Sequence, residues 1–165
     1  MESQNKYYGD LQWRLSMTDV FFFGLLVIVS YLLARVEIEI EGKYGYAKKL
    51  PVSWRTENKW LRYFFTGTSY HLYMGLFLLA LVHLPLVCCI PWSWGREMLV
   101  LSFLALLTVA EDFLWFVFNP HFGIRKFKRA AIPWFEQYWL LFLPFWYWYY
   151  IPIGVLLYVG SKFVD

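Results

Sequence analysis

Long apolar stretches alternate with polar segments along the chain, and four of the stretches are long enough to cross a membrane. A helix needs about 20 apolar residues to span a hydrocarbon layer of roughly 30 Å. Ser16 and Asp19 form a pair typical of a helix start, and prolines mark the ends of the second and third stretches. The predicted spans cover about residues 17–34, 70–90, 97–118 and 137–160. The pattern therefore predicts an all-α integral membrane protein, a bundle of about four transmembrane helices in one domain, residues 1–165.

The fourth stretch is the most aromatic part of the chain and contains two prolines, Pro144 and Pro152. Its apolar length exceeds the roughly 20 residues that a span requires. We therefore expect this helix to be tilted or kinked. Its aromatic surface is the candidate contact with a protein partner or with a second copy of the chain.

Composition supports membrane residence. Of 165 residues, 60% are apolar and only 16% are charged, against about 25% charged in an ordinary soluble domain. A soluble fold of this size could not bury so much apolar surface. The net charge of +3 is too small, and the basic residues too scattered, to indicate a nucleic-acid partner. Cys88 and Cys89 are adjacent, form no Cys-x-x-Cys motif, and are expected to be buried packing residues.

The positive charges predict an orientation. The first and third loops carry eleven Lys and Arg residues, against four in the termini and second loop. The positive-inside rule places the two basic loops in the cytoplasm, so both termini should lie outside a cytoplasmic (inner) membrane. Basic and aromatic residues alternate in both loops, which suits contact with anionic membrane lipids.

The first loop is predicted to be structured. Residues 36–41 alternate between apolar residues and glutamates, which favours a short β-hairpin with Glu37, Glu39 and Glu41 on one face; a helical continuation of the first span is the alternative. The glutamate face could bind a cation, although a solvated or lysine-paired face is the simpler interpretation. Residues 54–65 suit an interfacial helix.

Candidate chemistry is limited to a few ionisable residues. Glu111 and Asp112 lie inside the third span, where an ionisable group facing lipid costs about 2.5–3.5 kcal/mol. They are adjacent in sequence and point about 100° apart, so they should be unequal, one of them buried with a partner. With His71 and His121, which lie at the same cytoplasmic end, they form a candidate site for Zn, Fe or Mn.

Three interpretations of these residues remain open. They could bind a metal, handle protons or ions, or form a structural polar clamp. A histidine partner for Glu111 or Asp112 would favour the metal site, and an arginine or tyrosine partner would favour the clamp.

The sequence does not decide whether the protein is an enzyme. In one hypothesis it is a small membrane enzyme that acts on a lipid or another apolar substrate, with Glu111 or Asp112 as general base. In the other it is a non-catalytic accessory or scaffold subunit of a membrane complex. No Walker loop, dinucleotide fingerprint or zinc-protease motif is present to favour a named reaction.

Overall fold

The chain is mostly helical in the computed structural model, which describes residues 16–58, 61–62, 67–132, 134 and 138–164. Four helices are present in these ranges: α1 (Met17–Glu41), α2 (Ser69–Cys88), α3 (Trp94–Phe118) and α4 (Tyr147–Gly160). The first three are long and apolar enough to cross a membrane. Their 25, 20 and 25 residues correspond to about 37, 30 and 37 Å at 1.5 Å per residue.

Side-chain caps set the starts of the three long helices. At α1, Ser16 and Asp19 form the predicted capping box. Thr68 caps α2 by accepting a hydrogen bond from the backbone N–H of His71, and Ser93 caps α3 in the same way. Each cap satisfies an N–H that the first turn of a helix leaves without a partner.

The helices alternate in direction, with α3 in the middle. Helix α3 packs mainly against α1 and α4. It runs parallel to α1, because Phe22 contacts Phe103 and Tyr31 contacts Phe118, and antiparallel to α4. We call the end that carries the first loop (residues 42–68) and the third loop (residues 119–146) the loop end. The opposite end, with the start of α1 and the finish of α4, is the terminal end.

The outer surface of the bundle is apolar. In α2, Ser69 is the one buried residue, while Tyr73, Phe77 and Leu81 are exposed. Exposed apolar side chains over three long helices leave a surface that water solvates poorly, which suits lipid or a partner.

The predicted fourth span, residues 137–160, is wrong for residues 138–146, which precede the observed helix. Gln137 lies outside the described residues, and the chain then forms a two-stranded antiparallel hairpin, β1 (Trp139–Leu140) and β2 (Leu143–Pro144). Pro144 disfavours the helical conformation at the residue before it, so α4 begins only at Tyr147. Its 14 residues reach about 21 Å, short of the roughly 30 Å of a hydrocarbon layer.

The predicted hairpin in the first loop is also wrong, and the helical alternative is confirmed. Helix α1 continues to Glu41 and ends at Gly42, whose φ is +60°. Ala34, Ile38 and Glu41 are buried at helical spacing, so packing on one face of the helix overrides the period-two pattern.

The helix predicted for residues 54–65 is not present over residues 54–58. Residues 54–58 are not helical, and Arg55 forms a β-bridge with Thr68. Leu61 and Arg62 are helical. Residues 59–60 and 63–66 of this segment lie outside the described residues.

Cys88 and Cys89 are free and exposed at the terminal end, so the prediction that they are buried is wrong. They occupy the last position and the cap of α2, the helix that buries least of its surface.

Candidate functional site: a polar cavity at the loop end

A cavity of about 290 Å³ lies at the loop end, between the helices and the two basic loops. Its ionisable lining residues are four carboxylates, one histidine and one arginine: Glu37, Glu41, Glu111, Asp112, His71 and Arg62. Apolar side chains complete the wall, among them Leu33, Met74, Leu78, Leu107, Trp115 and Phe116. The cavity thus concentrates negative charge inside a mainly apolar bundle.

Glu37, Glu41 and His71 form the tightest group in this cavity. One ligand atom from each lies within 4.8 Å of the others, and His71 Nε2 is 3.6 Å from Glu41 Oε1. The glutamates are four residues apart and therefore share one face of α1, while His71 comes from the first turn of α2. Two carboxylates and one imidazole suit Zn, Fe or Mn. Among the described residues no other group of three such ligands is this close.

The histidine is held in the orientation that a ligand needs. Its Nδ1 lies 2.7 Å from Thr68 Oγ1, and that oxygen also accepts the backbone N–H of His71 at 3.3 Å. Donation from Nδ1–H to Thr68 leaves the Nε2 lone pair directed toward Glu41. Metal-binding histidines commonly have such a second hydrogen bond, which fixes the tautomer and the ring.

Tyr46 packs the other side of the imidazole. Its ring stacks on His71 with centroids 4.9 Å apart. Burial raises the pKa of the Tyr46 hydroxyl, so this group stays protonated. The stacked ring restricts rotation of the histidine.

Each glutamate also has a donor. The backbone N–H of Ala47 donates to Glu41 Oε1 at 2.5 Å, and the Tyr70 hydroxyl lies 3.4 Å from Glu37 Oε1. A carboxylate has two oxygens and about four lone-pair sites. These contacts therefore position both side chains and leave acceptor capacity for a cation.

The position of the glutamates is unfavourable for the helix itself. Both lie in the final two turns of α1, whose last turn contains no basic residue. The C-terminal end of a helix carries partial negative charge, so carboxylates there are disfavoured. A sequence that breaks a local rule in this way often marks a functional site.

Glu111 and Asp112 are unequal, as predicted, but in an unexpected way. Asp112 Oδ2 accepts a hydrogen bond of 2.6 Å from the Tyr147 hydroxyl. Glu111 Oε1 is buried and has no hydrogen-bond partner among the described residues. Both nevertheless line the same cavity.

The structure brings three of the four predicted metal ligands to one cavity. His71, Glu111 and Asp112 line it, whereas His121 is exposed, and its backbone N–H donates to Asn119 Oδ1. In the described part of the chain, no hydrogen bond joins His71 to Glu111 or Asp112; the Nε2 atom of His71 instead faces Glu41. The hydrogen bond from Tyr147 favours the structural polar clamp as the role of Asp112, and it says nothing about the role of Glu111.

Glu37 and Glu41 were predicted only as part of a separate glutamate face that could bind a cation, and Arg62 was predicted only within an interfacial segment. The i, i+4 spacing of the two glutamates was the available signal, but it requires α1 to extend beyond the apolar stretch. For Arg62 there was no signal, because a loop arginine beside aromatic residues is equally typical of membrane anchoring.

The arrangement can bind a divalent cation and can place a carboxylate base beside it. Four carboxylates in one cavity repel one another, and a cation would relieve that repulsion. Comparisons with protein-family models, with curated proteins and with solved structures gave no match to this chain.

Proposed function

We propose that this protein is a multi-pass membrane protein that binds a divalent transition metal through Glu37, Glu41 and His71. We further propose that it is a small enzyme acting on a lipid or another apolar substrate, with Glu111 as general base. The observation that carries the proposal is the Glu37–Glu41–His71 group, whose ligand atoms lie within 4.8 Å of one another.

The charge balance of the cavity supports a bound cation. Four carboxylates face one arginine and one histidine among its described lining residues. Glu37, Glu41 and Asp112 are all close enough for their charges to repel that of Glu111. A divalent ion would offset two negative charges, which neither Arg62 nor a protonated His71 achieves alone.

Glu111 suits the role of base better than Asp112. A general base needs a lone pair that is free to accept a proton. Asp112 is hydrogen-bonded to Tyr147, while Glu111 Oε1 has no partner in the described structure. A metal next to it would polarise a substrate group or a water molecule.

Elemental analysis of the detergent-purified protein tests the metal site. We expect about one equivalent of Zn, Fe or Mn per chain, and less than a tenth of that in H71A and in E41Q. The control is E39Q, because Glu39 lies two residues before Glu41 but is exposed and pairs with Arg35. Stoichiometric metal in E41Q or H71A would contradict the site. A protein without metal that co-purifies with another subunit would favour the accessory role.

The membrane part of the proposal has its own test. Asp19, near the start of α1, lies against Tyr158 and Lys162 at the finish of α4, which supports both termini being on one side. We expect a membrane-impermeant maleimide to label Cys88 and Cys89 from outside in intact cells. In a C88S/C89S background, a cysteine replacing Lys48 should be spared. The reverse labelling pattern would contradict the orientation.

A further inference from the structure

Arg62 lines the same cavity but takes no part in the metal group. Its guanidinium lies over the ring of Tyr46, at 5.3 Å, and over the ring of Tyr138, at 5.5 Å. Its Nε is buried and has no hydrogen-bond partner among the described residues. A buried donor on a charged group is costly to leave unpaired, so this nitrogen indicates a ligand.

The positive charge of Arg62 is not consumed by the neighbouring carboxylates. No salt bridge joins Arg62 to Glu37, Glu41, Glu111 or Asp112 in the described structure. Cation–π contacts with two tyrosine rings and a hydrogen bond with the Tyr46 side chain hold the guanidinium in place. The arginine is therefore positioned to bind an anion that comes from outside the chain.

The polarity of the cavity wall changes along the helix axes. Leu33 and Leu107 lie one helical turn deeper in the bundle than Glu37 and Glu111, which is about 6 Å along the axis. Leu78 lies roughly two turns, about 10 Å, beyond His71. The polar residues are thus at the loop end and the apolar wall is toward the middle of the bundle, as in a site for an amphiphile.

We propose that Arg62 binds the phosphate group of an alkyl phosphate ester, such as a lipid with a terminal phosphate, whose apolar part lies along Leu33, Leu78 and Leu107. This inference rests on the proposed function, because the carboxylates would repel an anion unless a metal neutralises them. The arginine fork matches phosphate oxygens. A phosphate monoester carries nearly two negative charges, so it gains more from an arginine and a metal than a carboxylate does.

Calorimetric titration of the metal-loaded protein with hexyl phosphate tests this assignment, with hexanol and inorganic phosphate as comparison ligands. The cavity has room for about ten water volumes of roughly 30 Å³ each, so a short chain is suitable. We expect R62Q to bind hexyl phosphate about 10–100-fold more weakly than the wild type. R62K, which keeps the charge but loses the fork, should fall between them. Hexanol should bind all three proteins equally.

Metal analysis of the same samples separates the two proposals. Full metal content in R62Q together with weakened hexyl phosphate binding supports the inference. Full metal content with unchanged hexyl phosphate binding overturns it and leaves the metal site standing, while a wild type without metal overturns both. Inorganic phosphate is expected to bind at least tenfold more weakly than hexyl phosphate; equal affinity would assign the site to a soluble phosphate and overturn the amphiphile.

Discussion

Ionisable side chains are present at both ends of the bundle, but their interaction partners differ between the two ends. At the terminal end, Asp19 contacts Tyr158 and Lys162. His83 Nε2 lies 3.0 Å from Glu97 Oε1. The other carboxylate oxygen of Glu97, Oε2, accepts a hydrogen bond from the Trp92 indole N–H. Asp19 and Glu97, the carboxylates described in this region, therefore each face a basic side chain and a hydrogen-bond donor, an arrangement that stabilises a fold.

At the loop end the carboxylates outnumber the basic side chains. Four carboxylates share one cavity with two basic residues among its described lining, Arg62 and His71. Arg62 lies over tyrosine rings instead of pairing with a carboxylate. Such an arrangement costs stability unless something binds there. The difference separates the polar groups that pair between helices from those that we propose bind a ligand.

The largest effect is expected from a comparison of two glutamate–histidine pairs, one at each end of the bundle. Glu41 lies 3.6 Å from His71, and Glu97 lies 3.0 Å from His83. In the described part of the chain, only the first pair has a third residue close enough to share a metal ion, Glu37. We expect E41Q to abolish metal binding and E97Q to leave it unchanged, as measured by titration of the metal-free protein with Zn²⁺. Equal losses in both variants would remove the distinction between the ends.

The hydrogen bond from His71 to Thr68 should affect the affinity of the loop end without removing a ligand. T68V keeps the shape of the side chain and removes the hydroxyl. We expect it to weaken metal binding by about 10–100-fold, because the imidazole loses the group that orients it. T68S keeps the hydroxyl and should bind within about threefold of the wild type. A T68S variant as weak as T68V would mean that packing, and not the hydrogen bond, supports the site.

The sequence predicted the long helices well, because their apolar lengths and caps are local signals. The observed starts at Met17, Ser69 and Trp94 and ends at Cys88 and Phe118 are within three residues of the predicted bounds. The sequence also predicted that His71, Glu111 and Asp112 lie at the same end of the bundle. Alternating helix directions bring the start of α2 close to the finish of α3.

The remaining parts depended on tertiary packing. The alternation in residues 36–41 favours a strand, but the burial of Ile38 and Glu41 in tertiary packing decides for the helix. The hairpin before α4 depends on Pro144 and on contacts that no local pattern specifies. The distance between Glu41 and His71 depends on the path of the first loop, which places Tyr46 and Ala47 against both residues.

Removing a carboxylate from the terminal end should destabilise the fold. D19N weakens the capping box of α1 and the pairing with Lys162. We expect a loss of about 1–2 kcal/mol in the free energy of unfolding, with unchanged metal content, measured by thermal unfolding in detergent. K162M should lose part of the same stability, and the D19N/K162M double variant should lose less than the sum of the two. Additive losses would mean that the two side chains do not interact.

Removing a carboxylate from the loop end should have the opposite and smaller effect. E111Q removes a buried carboxyl group whose Oε1 has no partner among the described residues. We expect this change to stabilise the metal-free protein by about 1 kcal/mol. It should leave metal binding unchanged, because Glu111 is outside the proposed ligand group. D112N breaks the bond to Tyr147 and should destabilise instead. An E111Q variant that unfolds would assign Glu111 to structure.

X-ray absorption spectroscopy of the zinc-loaded protein tests the central claim most directly, because it identifies the ligand atoms. A site built from Glu37, Glu41 and His71 predicts oxygen and nitrogen neighbours at about 2.0–2.2 Å, with the outer-shell scattering of one imidazole. The alternative thiol ligands of the chain, Cys88 and Cys89, are exposed at the terminal end. A sulfur shell near 2.3 Å, or a spectrum unchanged in H71A, would contradict a metal centre at the loop end.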